Sequence, residues 1–221
     1  MCIIIKQRFE ESIARNLRRP SNDLYGFIIK RFLITRNEQK NRKVIELLQL
    51  QSHHNILEIG FGPGEGLKLT LDTTGHGNPS GRIYGVDFSS RMCEEVQKRF
   101  CDEIDKGRMS ILNEDVSTMS IPDNTIDKVF HINSHLYWPD IDKSCAEIYR
   151  VMKSCGNMVT VVNFGAIESS KRSSTILKYA VNSTPEIYTN ALVNAGFVDI
   201  EMTTVGIQRG HELKAILCTK P

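Results

Sequence analysis

The stretch Ile56-Leu57-Glu58-Ile59-Gly60-Phe61-Gly62-Pro63-Gly64-Glu65-Gly66-Leu67 limits what this chain can fold into more than any other. Ile56, Leu57 and Ile59 form a short apolar run of the kind buried in a parallel sheet. Glycines then alternate with other residues at positions 60, 62, 64 and 66. Glycine takes backbone angles that other residues avoid and leaves room for a ligand against the main chain. Strand, Gly-rich turn and helix, in that order, are the parts of a nucleotide-type site at the carboxyl end of a sheet. Spacing excludes two of the commoner versions. Neither Gly60 nor Gly62 starts a G-x-G-x-x-G fingerprint, because Glu65 and Leu67 occupy the third positions, and no Gly-Lys-Ser/Thr follows as in a P-loop.

The remainder alternates between strand and helix patterns. Phe9, Ile13 and Leu17 have helical spacing, Phe27 to Leu33 suggest a second short helix, and Val44 to Leu50 an amphipathic helix that leads into the first strand. A helix is expected over residues 65–71 and a loop over 75–81. Residues 82–87 read as a second strand ending in an acid. Met92, Cys93, Val96, Phe100 and Ile104 line one helix face, and strands follow at 109–112, 125–133 and 158–162. The polar stretch 166–175 reads as a loop or lid. Thr184 caps a helix with Pro185 at its first position, which stops at Gly196. Residues 197–205 and 212–219 pair as a hairpin. The implied fold is α/β: a doubly wound, mostly parallel seven-stranded sheet with a C-terminal antiparallel hairpin and N-terminal helices. Right-handed crossovers put the Gly loop, Asp87 and Asp115 on one carboxyl edge.

Length suits a single domain over residues 1–221, with 1–50 as a helical lid and 51–221 as the core. No run approaches the roughly 18 apolar residues that span a bilayer, and the first residues lack a secretory signature. The cysteines at 2, 93, 101, 145, 155 and 218 form no C-x-x-C and no zinc spacing, so free thiols in a reducing cytoplasm and no metal are expected. The net charge of +2 gives no strong argument for nucleic acid. The charge is uneven, however: residues 1–45 hold eleven Lys and Arg against four Asp and Glu.

Glu58-x-Gly60-x-Gly62-x-Gly64 resembles the first motif of the class I S-adenosylmethionine methyltransferases. Three further segments are similar to that family in the right order. They are Val86-Asp87-Phe88-Ser89-Ser90-Arg91-Met92; Asn113-Glu114-Asp115-Val116 with Ile121-Pro122-Asp123 and onward to Val129; and Tyr149-Arg150-Val151-Met152-Lys153-Ser154-Cys155-Gly156. In the last, Ser154 and Cys155 stand where the family has Pro-Gly. Ala191 to Phe197 matches the L-x-x-A-G-F ending. The closest group is that of the small-molecule and ubiquinone or menaquinone C-methyltransferases.

The resemblance implies S-adenosylmethionine as cofactor, held by Glu58, Gly60, Gly62, Gly64, Asp87, Phe88, Met92, Asp115, Val116 and Asn133. Asp87 would accept the ribose hydroxyls, Asp115 would meet the adenine amino group, and Glu58 would orient the Gly loop. The segment after the fourth strand is substrate-facing in that family. There Tyr137 and Trp138 are candidate pocket residues and His135 a candidate general base; His131, inside the strand, reads as packed. Methyl transfer asks little of side chains, because a nucleophile held in line already gains from proximity and a base is needed only if it must lose a proton. A small-molecule acceptor is expected. The alternatives are RNA or protein methylation through the basic N-terminal arm, and a cofactor-binding protein without activity.

Overall fold

The computed structural model describes residues 24–75, 80–173, 177 and 179–221. The helix expected around Phe9 to Leu17 lies outside them. Helix α1 (Leu24–Leu48) leads to β1 (Ile56–Ile59), α2 (Glu65–Thr74), β2 (Ile83–Val86), α3 (Ser90–Arg99), α4 (Cys101–Asp105), β3 (Met109–Leu112) and β4 (Ile126–His131). A 3-10 turn (Ser134–Tyr137) precedes α5 (Ile141–Val151), β5 (Met152–Val162), α6 (Phe164–Ser173), α7 (Pro185–Ala195), β6 (Val198–Gln208) and β7 (His211–Thr219).

The strands form one seven-stranded sheet in the order β3-β2-β1-β4-β5-β7-β6. β1 to β5 run parallel to one another, and β7 is antiparallel to both β5 and β6. The mostly parallel sheet with its terminal hairpin is therefore as the sequence implies. Strand order reverses between β1 and β4, and ligands in open α/β sheets sit outside the carboxyl ends at such a switch point.

Alternation along β1 builds both faces. Ile56 joins Val44, Ile45 and Leu48 of α1, together with Phe130, Val159 and Val161. Leu57 and Ile59 face the other way, onto Cys145, Ile148 and Val151 of α5 and Tyr188, Ala191 and Leu192 of α7. A further cluster packs Leu67, Leu71, Met92, Cys93 and Val96 against Ile83, Met109 and Ile111. The carboxyl-terminal part of α1 is thus core of the sheet, not a separate cover.

Several local expectations are corrected. Two helices before the first strand prove to be one, α1, because residues 34–43 hold neither Gly nor Pro. Pairs such as Glu38–Arg42, with the acid ahead of the base, also suit a helix. The stretch read as a loop at 166–175 is helix α6 up to Ser173. Its start is capped by Asn163, whose Oδ1 accepts from the Ala166 N–H at 2.9 Å. The face read as one helix from Met92 to Ile104 is broken at Phe100 into α3 and α4.

β5 starts at Met152 but slips register, from Ile126↔Met152 to Lys128↔Asn157. The extra residues bulge out, with Cys155 at φ 63°, a conformation for which glycine is the usual residue. Strand β7's end braces the bulge: Cys155 N–H donates to Lys220 O at 2.8 Å and Lys220 N–H to Gly156 O at 3.0 Å. The β6–β7 turn is a two-residue loop with both central residues at positive φ, Arg209 at 54° and Gly210 at 76°, as a type I′ hairpin requires.

Candidate cofactor and acceptor site

The Gly loop leaves β1 at Gly60, where φ is +69° and a Cβ would come within 2.6 Å of Ser134 Cβ. Glycine there lets the loop after β1 touch the loop after β4. Gly66 answers a different need. A Cβ at that position would overlap the Glu58 carboxylate, which sits beneath the first turn of α2 and accepts from the Leu67 backbone N–H. Glu58 is 4% exposed and its Oε2 has no partner among the described residues. Burial, and next the neighbouring Asp87, push its pKa well above the usual carboxylate range.

Asp87, at the end of β2, ties the loops together. Its Oδ2 accepts from Gly62 N–H and its Oδ1 from Ser89 N–H, both at 2.9 Å. Burial raises its pKa, and these two N–H donors hold it back down. Each carboxylate oxygen has two lone pairs, so acceptor capacity remains. Asn113 Nδ2 donates to Asp87 O at 2.9 Å, fastening the end of β3 to that of β2.

The other residues named from sequence fall into three settings. Phe88 stands 41% exposed beside Asp87. Met92 and Val116 are buried in the core clusters. Asp115 is exposed, and its Oδ1 accepts from Ser117 N–H at 2.8 Å, closing a local turn. Gly60, Gly62, Asp87 and Phe88 thus share one side of the switch point, while Asn133 opens the other.

Asn133 adopts φ 59° directly after β4, and the buried Ser134 Oγ that follows has no partner among the described residues. His135 is fully buried. It stacks on Tyr188 with ring centroids 4.5 Å apart, and neither ring nitrogen has a partner among the described residues. Burial pulls its pKa down to about 3. A histidine so placed is uncharged at neutral pH, with one ring nitrogen protonated, and is a weak base. Trp138 lies in the same aromatic cluster, 5% exposed and 5.0 Å from the His131 ring. His131 is satisfied: its Nε2 meets Tyr188 Oη at 2.7 Å and its Nδ1 meets Thr160 Oγ1 at 3.0 Å. Burial also holds Tyr137's hydroxyl protonated, with a pKa pushed up to about 12.

The structure adds residues that the sequence did not single out. Asn37 Oδ1 on α1 accepts from Asn133 Nδ2 at 3.4 Å and from Lys40 Nζ at 3.3 Å. Gln208 Nε2 donates to Arg36 O at 2.9 Å, and Asn163 Nδ2 donates to Gln208 O at 3.2 Å. Helix α1 and the β6–β7 turn therefore meet over the carboxyl ends of β4 and β5. Beside them a cleft of about 500 Å³ is lined by Gly165, Glu168, Ser169, Arg172 and His211. These residues come from elements far apart in sequence and carry no motif.

Residues 56–156 match a family described as "Methyltransferase domain". An uncharacterised methyltransferase, YdaC, of Bacillus subtilis is 27% identical over 54% of this chain and 62% of its own length. A demethylmenaquinone methyltransferase of Symbiobacterium thermophilum is 26% identical over 64% of this chain and 53% of its own length. Residues 56–156 are thus similar to a methyltransferase domain, in line with the resemblance carried by the Gly-loop motif. The matched segments span little more than half the length of these curated relatives. In fold, the domain resembles a phosphoethanolamine N-methyltransferase 2 of Haemonchus contortus solved with S-adenosylmethionine. The TM-score is 0.72 at 17% identity, covering 95% of this chain and 60% of that one.

S-adenosylmethionine, the group bound in that Haemonchus contortus structure, fits the residues present here. The Gly60 approach leaves main chain bare at the switch point. Asp87 offers only acceptors, as ribose hydroxyl donors require, and the orphaned Ser134 Oγ lies against Gly60. Among the described residues no helix is long and apolar enough to cross a membrane.

Proposed function

We propose that the chain transfers a methyl group from S-adenosylmethionine to a small-molecule acceptor lying on the Asn133 side of the switch point. The observation that carries this reading is the Gly60–Ser134 contact. On one side of it stand backbone N–H groups, Asp87 and the exposed Phe88; on the other, Asn133 opens toward α1. Bound cofactor supplies a methyl group already activated on a sulfonium. The chain's part is to place it. Gly60, Gly62 and Gly64 give the cofactor main chain to lie against, Glu58 fixes that loop from beneath, and Asp87 accepts the ribose hydroxyls. Phe88 and Asp115 would hold the base, with Met92 and Val116 packed in the core behind the loops, and Asn133 would face the sulfonium end.

The acceptor side is roofed, which favours a small molecule. Gln208 and Gln39 hydrogen-bond across between α1 and the β6–β7 hairpin. Three cations at the end of the basic arm are accounted for within α1. Arg42 pairs with Glu38 and Lys43 with Glu46 on α1, and Lys40 is buried, so these residues offer no cationic stripe to RNA. Tyr137 is a wall of the acceptor space in this reading. His135 and Trp138 are its packing, and the reaction relies on proximity instead of a histidine base. The stretch of α1 from Arg36 to Lys40 borders the site, and free cysteines at 93, 101, 145, 155 and 218 suit a reducing cytoplasm.

The test is turnover by the full chain, read as methyl incorporation and S-adenosylhomocysteine release, against a panel of quinones, phospho-alcohols, amines and phenols. Methylation of a panel member is expected. Methylation of RNA or protein alone would overturn the acceptor class. Tight cofactor binding with no transfer to any acceptor would support the non-catalytic alternative.

A further inference from the structure

We propose that Lys40, Arg36 and Arg209 form a subsite for a phosphoryl group carried by the methyl acceptor. The inference rests on the small-molecule reading and deepens it.

Lys40 is 1% exposed, and its ammonium donates to Asn37 Oδ1 at 3.3 Å. An ammonium has three protons to place, and no carboxylate pairs with it among the described residues. Lys220 in the same chain shows how a structural buried lysine is handled. Its Nζ donates to Asn124 Oδ1, Tyr149 O and Met152 O at 2.9, 2.9 and 2.7 Å. Lys40 is more buried and less satisfied, a costly arrangement for a residue that only packs.

Two arginines stand on the elements next to it. Arg36 is one helical turn before Lys40, so the two share a face of α1. Arg209 sits in the β6–β7 turn, and the preceding Gln208 binds the Arg36 carbonyl. Burial first, then the charges of Arg36 and Arg209, bring the Lys40 pKa down to about 7, so both arginines lie within electrostatic reach of the ammonium. Tyr137's phenol lies within reach of Arg36. Arginine grips oxyanions with paired N–H donors, and lysine adds a point charge. Three convergent cations match a phosphoryl dianion better than a single carboxylate.

The position also suits an acceptor. Asn37 Oδ1 links Lys40 to Asn133, and the next residue, Ser134, abuts Gly60. One asparagine pair thus separates the cations from the cofactor loop. An acceptor anchored there by its phosphoryl group presents its other end toward the methyl.

The experiment titrates inorganic phosphate, pyrophosphate and acetate into the full-length chain saturated with S-adenosylhomocysteine, by calorimetry. The wild-type chain, Lys40→Met and Arg209→Ser are compared. Phosphate or pyrophosphate should bind the wild type and lose about tenfold or more in Lys40→Met, the worth of one charge-assisted contact. Arg209→Ser should weaken it less, and S-adenosylhomocysteine affinity should hold within about twofold in both. Lys40→Met should melt no lower than wild type, which shows that it folds. The proposal is overturned if phosphate and pyrophosphate do not bind, if Lys40→Met binds them unchanged, or if it loses the cofactor product as well. Acetate binding equal to phosphate would replace the phosphoryl assignment with a carboxylate. The acceptor panel separates the two levels. Transfer only to uncharged small molecules defeats this subsite and keeps the small-molecule reading, whereas transfer only to RNA defeats that reading itself.

Discussion

The two sides of the switch point treat their polar groups differently. On the β1–β2 side the backbone does the work: Asp87 accepts two N–H groups, Ser89 caps α3, and Asn113 closes the gap to β3. Glu58 Oε2, beneath the Gly loop, is left over there, as are Thr70 Oγ1 and Arg91 Nη1 on the flanking helices, among the described residues. On the β4–β5 side polar side chains are buried with less support, His135 with both nitrogens unpaired and Lys40 with one distant amide oxygen. The first arrangement is a preformed cradle for a ligand of fixed shape. The second holds unsatisfied groups that a particular acceptor can complete. On the proposed function, cofactor recognition is built into the fold and acceptor recognition is built onto it.

The largest effect expected is at Asp87. Asp87→Ala removes a buried charged acceptor of the cofactor side, so S-adenosylhomocysteine affinity should fall about a hundredfold in calorimetry, equivalent to roughly 3 kcal/mol. The melting temperature should change far less. Unchanged affinity would mean that Asp87 only braces the loops.

Next is Gly66→Ala, which forces a methyl group into the Glu58 carboxylate. It should cost about 1–3 kcal/mol in denaturant unfolding, as overpacking does. Glu58→Ala should relieve most of that in the double variant, giving a clear coupling energy. Additive losses would show that the glycine answers to backbone conformation instead.

On the acceptor side, His135→Phe keeps the ring stack on Tyr188 and removes both orphaned nitrogens. We expect stability to change by less than about 1.5 kcal/mol and turnover to persist. Abolished turnover with intact cofactor affinity would return His135 to the role of base.

The smallest effects are pH slopes that separate the two sides. Glu58 lies well above the usual carboxylate range when folded and returns to about 4.3 when unfolded. The folded state then holds the extra proton, so stability falls as pH rises through that window. Lys40 has the opposite sign. Its pKa is about 7 folded and 10.5 in the unfolded reference, so the unfolded state holds the extra proton and stability rises between those values. Glu58→Gln should flatten the first slope and Lys40→Met the second, in unfolding curves measured across pH. If either variant keeps the wild-type slope, the residue is not buried as described.

Legibility from sequence follows the same division. Strand order, the Gly loop, Asp87 and the terminal hairpin could be read because each depends on neighbours within one or two strand–helix units. Asn133 could be named from its place after β4. The acceptor side could not be read as well, since residues 36–40, 133–137 and 208–211 meet only through sheet topology. His135 looked reactive by position, but the sequence does not show that Tyr188, fifty-three residues later, covers its ring. Helix α6 is masked in sequence by its serines, and its one local start signal is the Asn163 cap. Single helix α1 was likewise readable from the absence of Gly and Pro between its two apolar stretches.

The most direct test is a crystal structure of the full chain with S-adenosylhomocysteine. We predict the ribose hydroxyls on Asp87, the base beside Phe88, and the sulfur at Asn133 with its open face toward Asn37 and Lys40. A sulfur pointing instead toward β3, with the space beside Asn133 closed, would contradict the division of the edge into cofactor and acceptor sides.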